Sequence, residues 1–145
     1  MKAVIQKVNS ASVEVDGKLI SSIDKGLLVL VGIHKKDTQT EADYLIRKIL
    51  NLRMFESDKH FMDKSVQDLD LEVLLVSQFT LYGDCTKGNR PSFDQAMSPA
   101  QAKVFYDDFV NKFRQSHLKT KDGVFGAYMK VSLINDGPFT IVLEK

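Results

Sequence analysis

Apolar and polar residues alternate along the first part of the chain with the two-residue period of a β-strand. The alternation covers Ala3 to Val8 and repeats over Ala11 to Val15. Asp16-Gly17 then predicts a tight hairpin turn that returns the chain as a second strand over Lys18 to Ile23. After a turn at Asp24 to Gly26, the apolar run Leu27 to Ile33 predicts a strand that is buried on both faces. We therefore expect this third strand to be central in a sheet.

Two later segments change to the period of a helix. Thr38 and Glu41 have the spacing of a capping box, which predicts a helix start. The apolar residues behind them recur at helical spacing: Ala42, Leu45, Ile46, Ile49 and Leu50. Ser98 and Pro99 predict a second start, with serine as the cap and proline at the first helical position. The apolar stripe that follows is Ala102, Phe105, Phe109, Val110 and Phe113.

The remaining apolar segments predict more strands. Leu52 to Phe55 predicts a short one, and Glu72 to Phe79 a buried one that ends in polar residues. Gly126 to Ile134 alternates as a strand, and Asn135 to Gly137 predicts a turn from which Phe139 to Leu143 returns as a hairpin. The whole pattern predicts a strand-rich α+β fold with two packed amphipathic helices.

Composition narrows the class of protein. The 145 residues are 43% hydrophobic and 27% charged, which suits one core and a single domain over residues 1–145. No apolar run is long enough to cross a membrane and no signal sequence is evident, so we expect a cytoplasmic protein without a membrane partner. Cys85 is the single cysteine, which excludes an internal disulfide. The net charge of +1 implies that any contact with RNA is local.

The polar end of the strand before residue 80 is a candidate active site. The N–H groups of Phe79 and Thr80 are free to stabilise an oxyanion if the ladder ends there, and Ser77 and Gln78 add side-chain hydrogen bonds. The Thr80 hydroxyl is an alternative nucleophile, but the sequence supplies no obvious base for it. The histidines, namely His34, His60 and His117, are isolated in sequence. We predict no metal site and no organic cofactor.

Two separated segments, Ser77 to Leu81 and Asn135 to Thr140, resemble the paired signature of the D-aminoacyl-tRNA deacylases. The resemblance extends over essentially the whole chain, because four further segments are similar to that family: Met1 to Val15, Lys25 to Gly32, Lys87 to Phe93 and Gly123 to Val131. Phe139 departs from the family, which usually has a smaller valine there. The resemblance implies a barrel-like sheet.

The resemblance also implies an activity. An enzyme of this family hydrolyses the ester of a D-aminoacyl-tRNA, or of glycine mischarged on tRNA, and rejects L-aminoacyl groups. It implies attack by water assisted by the neighbouring ribose hydroxyl, and it makes Met129 a residue of the pocket. It further implies a cis bond between Gly137 and Pro138, although X-Pro bonds alone favour trans. The Gly137-Pro138 segment of one subunit of a homodimer would enter the pocket of the other.

Contacts with the tRNA end are predicted on a long surface loop from Tyr82 to Ala96. Lys87, Arg90 and Ser92 are candidates for binding phosphates. Phe79, Phe93 or Phe125 is a candidate for stacking on the terminal adenine. Two other functions stay open at this point. One is a module that binds RNA ends without catalysis, and the other is a general esterase with Thr80 as nucleophile.

Overall fold

The chain folds as one mixed sheet that curls around a core and carries two helices. The computed structural model describes residues 1–117 and 119–145. The described elements, in chain order, are β1 (Lys2–Val15), β2 (Lys18–Ile23), β3 (Gly26–Gly32), α1 (Gln39–Asn51), β4 (Glu72–Ser77), a 3₁₀ helix (Phe79–Tyr82), α2 (Pro99–Ser116), β5 (Thr120–Asp122) and β6 (Lys130–Glu144). No described helix is long and apolar enough to cross a membrane.

The predicted antiparallel start of the sheet is confirmed. β1 and β2 form a hairpin in which Val15 pairs with Lys18 across Asp16-Gly17, and both turn residues have positive φ. β1 also pairs antiparallel with β3, and β3 pairs parallel with β4. The strand order β2-β1-β3-β4-β5 makes β3 central, as its continuous apolar sequence predicts.

The central strands are buried on both faces because each face covers a separate core. On one side, Leu27, Val29 and the β4 residue Val73 pack with the buried faces of α1 and α2. On the other side, Leu28 and Leu74 pack against the second half of β1 and part of the chain before β6. The sheet must curl to enclose this second core, which gives the nearly closed, barrel-like form that the family resemblance implies.

Both helices form where the sequence predicts them. Thr38 caps α1, and both arms of its capping box with Glu41 are present. Ser98 is the N-cap residue of α2, but its hydroxyl donates to Gln101 Oε1 at 2.8 Å and does not cap the backbone. In α2 the buried aromatic next to Phe109 is Tyr106, whereas Phe105 is only partly buried. The predicted stripe was therefore wrong by one residue.

Three strand predictions need correction. Leu52 to Phe55 is not a strand, since within that segment only Phe55 forms a bridge, to Lys64. The strand over Glu72 to Phe79 ends at Ser77, and the chain then turns into the 3₁₀ helix. The predicted hairpin with its tip at Asn135 to Gly137 does not exist, because β6 is one strand that pairs with β1 along its length.

The polar segment in β6 is a wide bulge. Val8 of β1 pairs with Asn135, and Gln6 pairs with Thr140. Four residues of β6, 136–139, therefore lie opposite the single residue Lys7. The turn-like sequence interrupts the ladder without reversing the chain, so Gly137 and Pro138 project from the middle of a strand.

Candidate active site

A cavity of about 670 Å³ opens beside the end of β4. Its walls come from the ends of β3 and β4, the start of α2, and the chain that leads into β6. The residues that line it are Val31, Ile33, Val76, Ser77, Gln78, Phe79, Phe93, Ala96, Met97, Ser98, Pro99, Ala102, Phe125, Gly126, Ala127, Tyr128, Met129 and Val131. The size suits a small organic group, and most of the lining is apolar.

The backbone at the end of β4 presents two N–H groups without acceptors. The N–H of Gln78 donates to the carbonyl of Val31 at 2.7 Å, which continues the parallel ladder for one more residue. The next two N–H groups belong to Phe79 and Thr80, and neither has a hydrogen-bond acceptor among residues 1–117 and 119–145. The first N–H groups of a helix have no partner within that helix. This change from strand to helix leaves adjacent donors beside the cavity.

Gly32 allows this turn to lie close against β3. A Cβ atom on Gly32 would lie 3.0 Å from Leu81 Cβ and 3.1 Å from the Gln78 carbonyl oxygen. Both distances are shorter than ordinary van der Waals contact. A side chain at position 32 would therefore displace the segment that carries the free N–H groups.

Thr80 is held by Gln78 and does not line the cavity. The Gln78 side-chain amide donates to the Thr80 hydroxyl. An amide is not a base at neutral pH in either orientation. The side chain that touches the Thr80 hydroxyl therefore cannot take its proton.

The described lining of the cavity contains no Asp, Glu, His, Lys, Arg or Cys. The three histidines lie outside this lining. His34 contacts Gln95, His117 Nε2 is 2.6 Å from the Leu71 carbonyl, and His60 lies in an exposed turn. No group of three or more metal-binding side chains occurs in the described part of the chain. The ionisable groups of this cavity are thus confined to the Tyr128 phenol.

Aromatic side chains form the mouth of the cavity. Phe79 is 58% exposed and packs edge-on against Phe93, with ring centroids 5.0 Å apart. Tyr128 is 86% exposed. Phe125 lines the wall and stacks at an angle on Tyr106, 5.7 Å away. Sequence reasoning missed Tyr128, although an aromatic residue between two other pocket candidates was a signal for it.

Met129 is placed by the chain that follows β5. The Gly123 N–H donates to the carbonyl of Leu75 at 3.0 Å, which extends the contact with β4. A Cβ atom on Gly123 would lie 2.6 Å from the Met129 sulfur, so the absence of a side chain there makes space for methionine. The structure thus brings Ser77, Gln78 and Phe79 together with Phe125 and Met129.

Gly137 and Pro138 do not reach this cavity within one subunit. The bulge lies opposite Lys7, which is level with Leu27 of β3 and Val73 of β4. Ser77 is four residues farther along β4 and three strands away. These offsets are roughly 13 Å along the strand and roughly 14 Å across the sheet. Both bulge residues are exposed, and the peptide bond between them is cis, as the family resemblance implies.

A buried lysine anchors the bulge. Lys7 Nζ lies 2.9 Å from Asp136 Oδ2 and 2.6 Å from Glu56 Oε2. Burial lowers the pKa of Lys7, but hydrogen bonds to these two carboxylates outweigh burial and raise it overall. The Lys7 hydrogen bond is the main cause that lowers the pKa of Glu56, to about 2. The Asn135 amide also donates to the Lys7 carbonyl at 3.1 Å.

The predicted RNA-binding residues lie on the loop that forms one rim of the cavity. Lys87 and Arg90 are exposed and do not line the cavity. In the described chain neither forms an ion pair. Phe93 and Ala96 of the same loop do line the cavity. The Met97 N–H donates to the carbonyl of Ile33 at 2.9 Å, which fixes the end of the loop against β3.

Comparison with known proteins gives a consistent set of relatives. A family model described as D-Tyr-tRNA(Tyr) deacylase matches residues 4–144. The D-aminoacyl-tRNA deacylase of Thermosipho melanesiensis is 54% identical, with 99% of this chain and 97% of that protein covered. The D-aminoacyl-tRNA deacylase of Thermodesulfovibrio yellowstonii is 50% identical, with 99% of each covered.

Two solved structures are similar over nearly their whole length. One is described as c-Myc DNA Unwinding Element Binding Protein and has a TM-score of 0.96 at 50% identity, covering 100% of this chain and 99% of that chain. The other is described as a probable eukaryotic D-amino acid tRNA deacylase and has a TM-score of 0.85 at 16% identity, covering 98% and 97%. At 16% identity the second likeness shows the fold alone.

Proposed function

Because the chain belongs to the D-Tyr-tRNA(Tyr) deacylase family, we propose that it hydrolyses the ester bond of D-aminoacyl-tRNA. The family membership confirms the resemblance carried by the two sequence motifs. The products are the free D-amino acid and tRNA with an intact 3′ end. Glycine mischarged on tRNA is a second proposed substrate, because glycine has no side chain for a chiral filter to reject. The proposed role is proofreading of aminoacyl-tRNA.

One observation supports the chemistry most directly, namely the adjacent free N–H groups of Phe79 and Thr80. When water attacks the ester carbonyl, negative charge develops on the carbonyl oxygen. Two adjacent backbone donors, one on the cavity-lining residue Phe79 and one on the next residue, stabilise that charge, and such donors contribute about 10²- to 10³-fold each to a rate. Ser77 and Gln78 line the same wall and orient the ester by hydrogen bonds.

The proton transfers are assigned to the substrate, since the described cavity lining offers no strong base. The neighbouring ribose hydroxyl accepts a proton from the attacking water and gives its own proton to the leaving ribose oxygen. The bond between the carbonyl carbon and that oxygen breaks, and the amino acid leaves as a carboxylic acid that loses its remaining proton to solvent as a carboxylate. The contact of the Thr80 hydroxyl with the Gln78 amide favours this route over direct attack by Thr80.

Stereochemical choice is assigned to Gly137 and Pro138 of a second subunit. The wide separation of the two motifs within one subunit supports a shared site in a homodimer. The bulge projects into solvent, and β6 exposes Leu133, Ile134 and Val142 along its length. An edge strand with exposed apolar residues is suited to an interface with a second copy. The main-chain atoms of Gly137 and Pro138, placed beside the α-carbon of the substrate, would leave no room for the side chain of an L-amino acid.

Recognition of the tRNA is local in this proposal. The exposed Lys87 and Arg90 are positioned on the loop at the cavity rim, where a phosphate of the acceptor end would pass. Phe125 and Met129 form the wall for the terminal nucleotide or the aminoacyl group. The 145 residues act as one domain in this proposal. The net charge of +1 produces no long-range electrostatic attraction to nucleic acid. We propose the cytoplasm as its compartment, because the proposed substrate is used there.

The direct experiment compares D-tyrosyl-tRNA with L-tyrosyl-tRNA. The purified chain should accelerate release of D-tyrosine and spare the L-ester. A module that only binds RNA ends would instead protect both esters from spontaneous hydrolysis. Equal acceleration with both esters would contradict the chiral filter while retaining an esterase.

A further inference from the structure

A short exposed loop lies beside the Gly137-Pro138 bulge and is tied to it at its base. The loop begins after Phe55, whose N–H donates to the Lys64 carbonyl at 3.0 Å, while the Lys64 N–H returns a bond at 2.9 Å. Glu56 connects the loop to Lys7 at 2.6 Å and to Lys25 at 3.1 Å. Lys7 also binds Asp136 of the bulge. The loop and the bulge therefore share one buried anchor.

The loop contains a hydrogen-bonded turn and exposes two large apolar side chains. The Ser57 N–H donates to the His60 carbonyl at 2.9 Å, and the Ser57 hydroxyl accepts the N–H groups of Lys59 and His60. This turn presents Phe61, which is 64% exposed, and Met62, which is 55% exposed. Two neighbouring exposed apolar side chains on a hydrogen-bonded turn indicate a contact surface.

Phe61 contacts the bulge through Phe139. The two rings meet edge to face, with centroids 6.1 Å apart and an angle of 77° between their planes. Phe139 directly follows Pro138, and its atoms are also close to Gly137. A Cβ atom on Gly137 would be 3.0 Å from the Phe139 nitrogen and 3.2 Å from the Phe139 Cβ. Phe139 therefore fills the space beside the Gly137 α-carbon, and the separation of only two residues couples its position to that of Gly137.

We propose that Phe61 is a positioning residue for the chiral filter, that is, for the Gly137-Pro138 segment to which the rejection of L-amino acids is assigned. Pairing with β1 is interrupted over residues 136–139, so the ladder does not fix the bulge, and side-chain contacts must do so. Lys7 pairs with Asp136 at one end of the bulge. Phe61 packs against Phe139 at the other end, from the solvent side. A valine at position 139 has no ring and would be too short to reach Phe61, so the contact requires a large side chain at position 139. The inference rests on the proposed function of Gly137 and Pro138.

The test measures kcat/KM for D-tyrosyl-tRNA and L-tyrosyl-tRNA and takes their ratio. Phe61→Ala should lower the ratio about 2- to 10-fold, the range expected for loss of one aromatic pair. Phe61→Tyr keeps the ring and should restore the ratio, because the added hydroxyl lies at an exposed position. Met62→Ala is the matched control, since Met62 is similarly exposed on the same turn, and it should leave the ratio unchanged.

A double-mutant cycle separates positioning from general stability. In a Phe139→Val background, Phe61→Ala should change the ratio less than about 2-fold, because the partner ring is already absent. Equal effects of Phe61→Ala in both backgrounds would overturn the proposal, as would an effect of Met62→Ala as large as that of Phe61→Ala. If the unmodified chain cleaves neither ester, the proposed function itself fails. If it prefers the D-ester but Phe61→Ala leaves the ratio unchanged, only the role of Phe61 fails.

Discussion

The N–H of Gln78 donates to the carbonyl of Val31 at 2.7 Å, and beyond this bond the chain leaves the sheet. The next two N–H groups, of Phe79 and Thr80, consequently point away from any acceptor that the structure describes. A strand that continued to Phe79, as the apolar pattern predicted, would have presented these donors differently. The 3₁₀ helix is therefore the feature that turns a strand end into a candidate oxyanion site.

A proline at position 79 would remove the backbone N–H of that residue and still fit the first position of the 3₁₀ helix. Phe79→Pro should lower kcat for D-tyrosyl-tRNA about 10²- to 10³-fold, because proline has no N–H and is tolerated at a helix start. Phe79→Ala is the control, since it keeps the N–H and loses only the ring. Its effect should be confined mainly to KM. Equal losses of kcat in the two variants would exclude the backbone donor.

Thr80→Ala distinguishes the two chemical routes. With water as the nucleophile, kcat should fall by less than about 10-fold, since the hydrogen bond that the described residues give this hydroxyl comes from the Gln78 amide. Direct attack would require near-complete loss. Mass spectrometry of the enzyme after rapid quenching provides a second readout. An aminoacyl group attached to Thr80 would contradict attack by water.

The ion pair at the base of the bulge should make stability depend on pH. The pKa of Glu56 is lowered from 4.5 to about 2, so its contribution is fully present above about pH 4.5 and is lost as the pH falls toward 2. Glu56→Gln should therefore reduce the free energy of unfolding near pH 6, and the difference from the unmodified chain should disappear near pH 2. Denaturant titrations across this range measure it.

Asp58→Asn is the matched control for the pH experiment. Asp58 is exposed in the same loop and forms no ion pair within residues 1–117 and 119–145. Its substitution should leave the pH dependence of unfolding unchanged. A Glu56→Gln difference that stays constant from pH 6 to pH 2 would show that the ion pair does not supply this stability.

Sequence predicted those features that depend on neighbouring residues. The capping box of Thr38 and Glu41, the Asp16-Gly17 turn and the doubly buried β3 are local patterns, and the structure has all three. Local signals also misled. Asn135 to Pro138 has the composition of a turn, but its strand continues because pairing with β1 on both sides of the bulge outweighs the local preference.

The candidate site was predictable only in part for the same reason. Ser77 and Gln78 lie at a strand end that apolar patterning reveals. Tyr128 and the contact between Phe61 and Phe139 depend on how distant segments meet, and no local spacing encodes that. The burial of Tyr106 in place of Phe105 reflects the orientation of α2 on the sheet. Orientation of a helix is set by the complete core and not by its own stripe.

The shared site is tested most directly with two variants that damage different halves of it. Gly137→Val should obstruct the cavity that the bulge enters and so block turnover of the D-ester, since Gly137 has a φ of +126° and a branched side chain there would crowd Phe139 and the substrate. Phe79→Pro should disable the oxyanion site of the cavity. Each variant alone should be nearly inactive as a homodimer. The two chains, carrying different affinity tags, can be co-expressed and isolated as a heterodimer.

Hydrolysis of D-tyrosyl-tRNA by that heterodimer is the deciding measurement. If the bulge of one subunit completes the cavity of the other, one of the two sites combines an intact cavity with an intact bulge. The heterodimer should then show about half of the activity of the unmodified dimer. Activity no higher than that of the two variant homodimers would contradict a shared site, and so would full activity of the unmodified chain as a monomer.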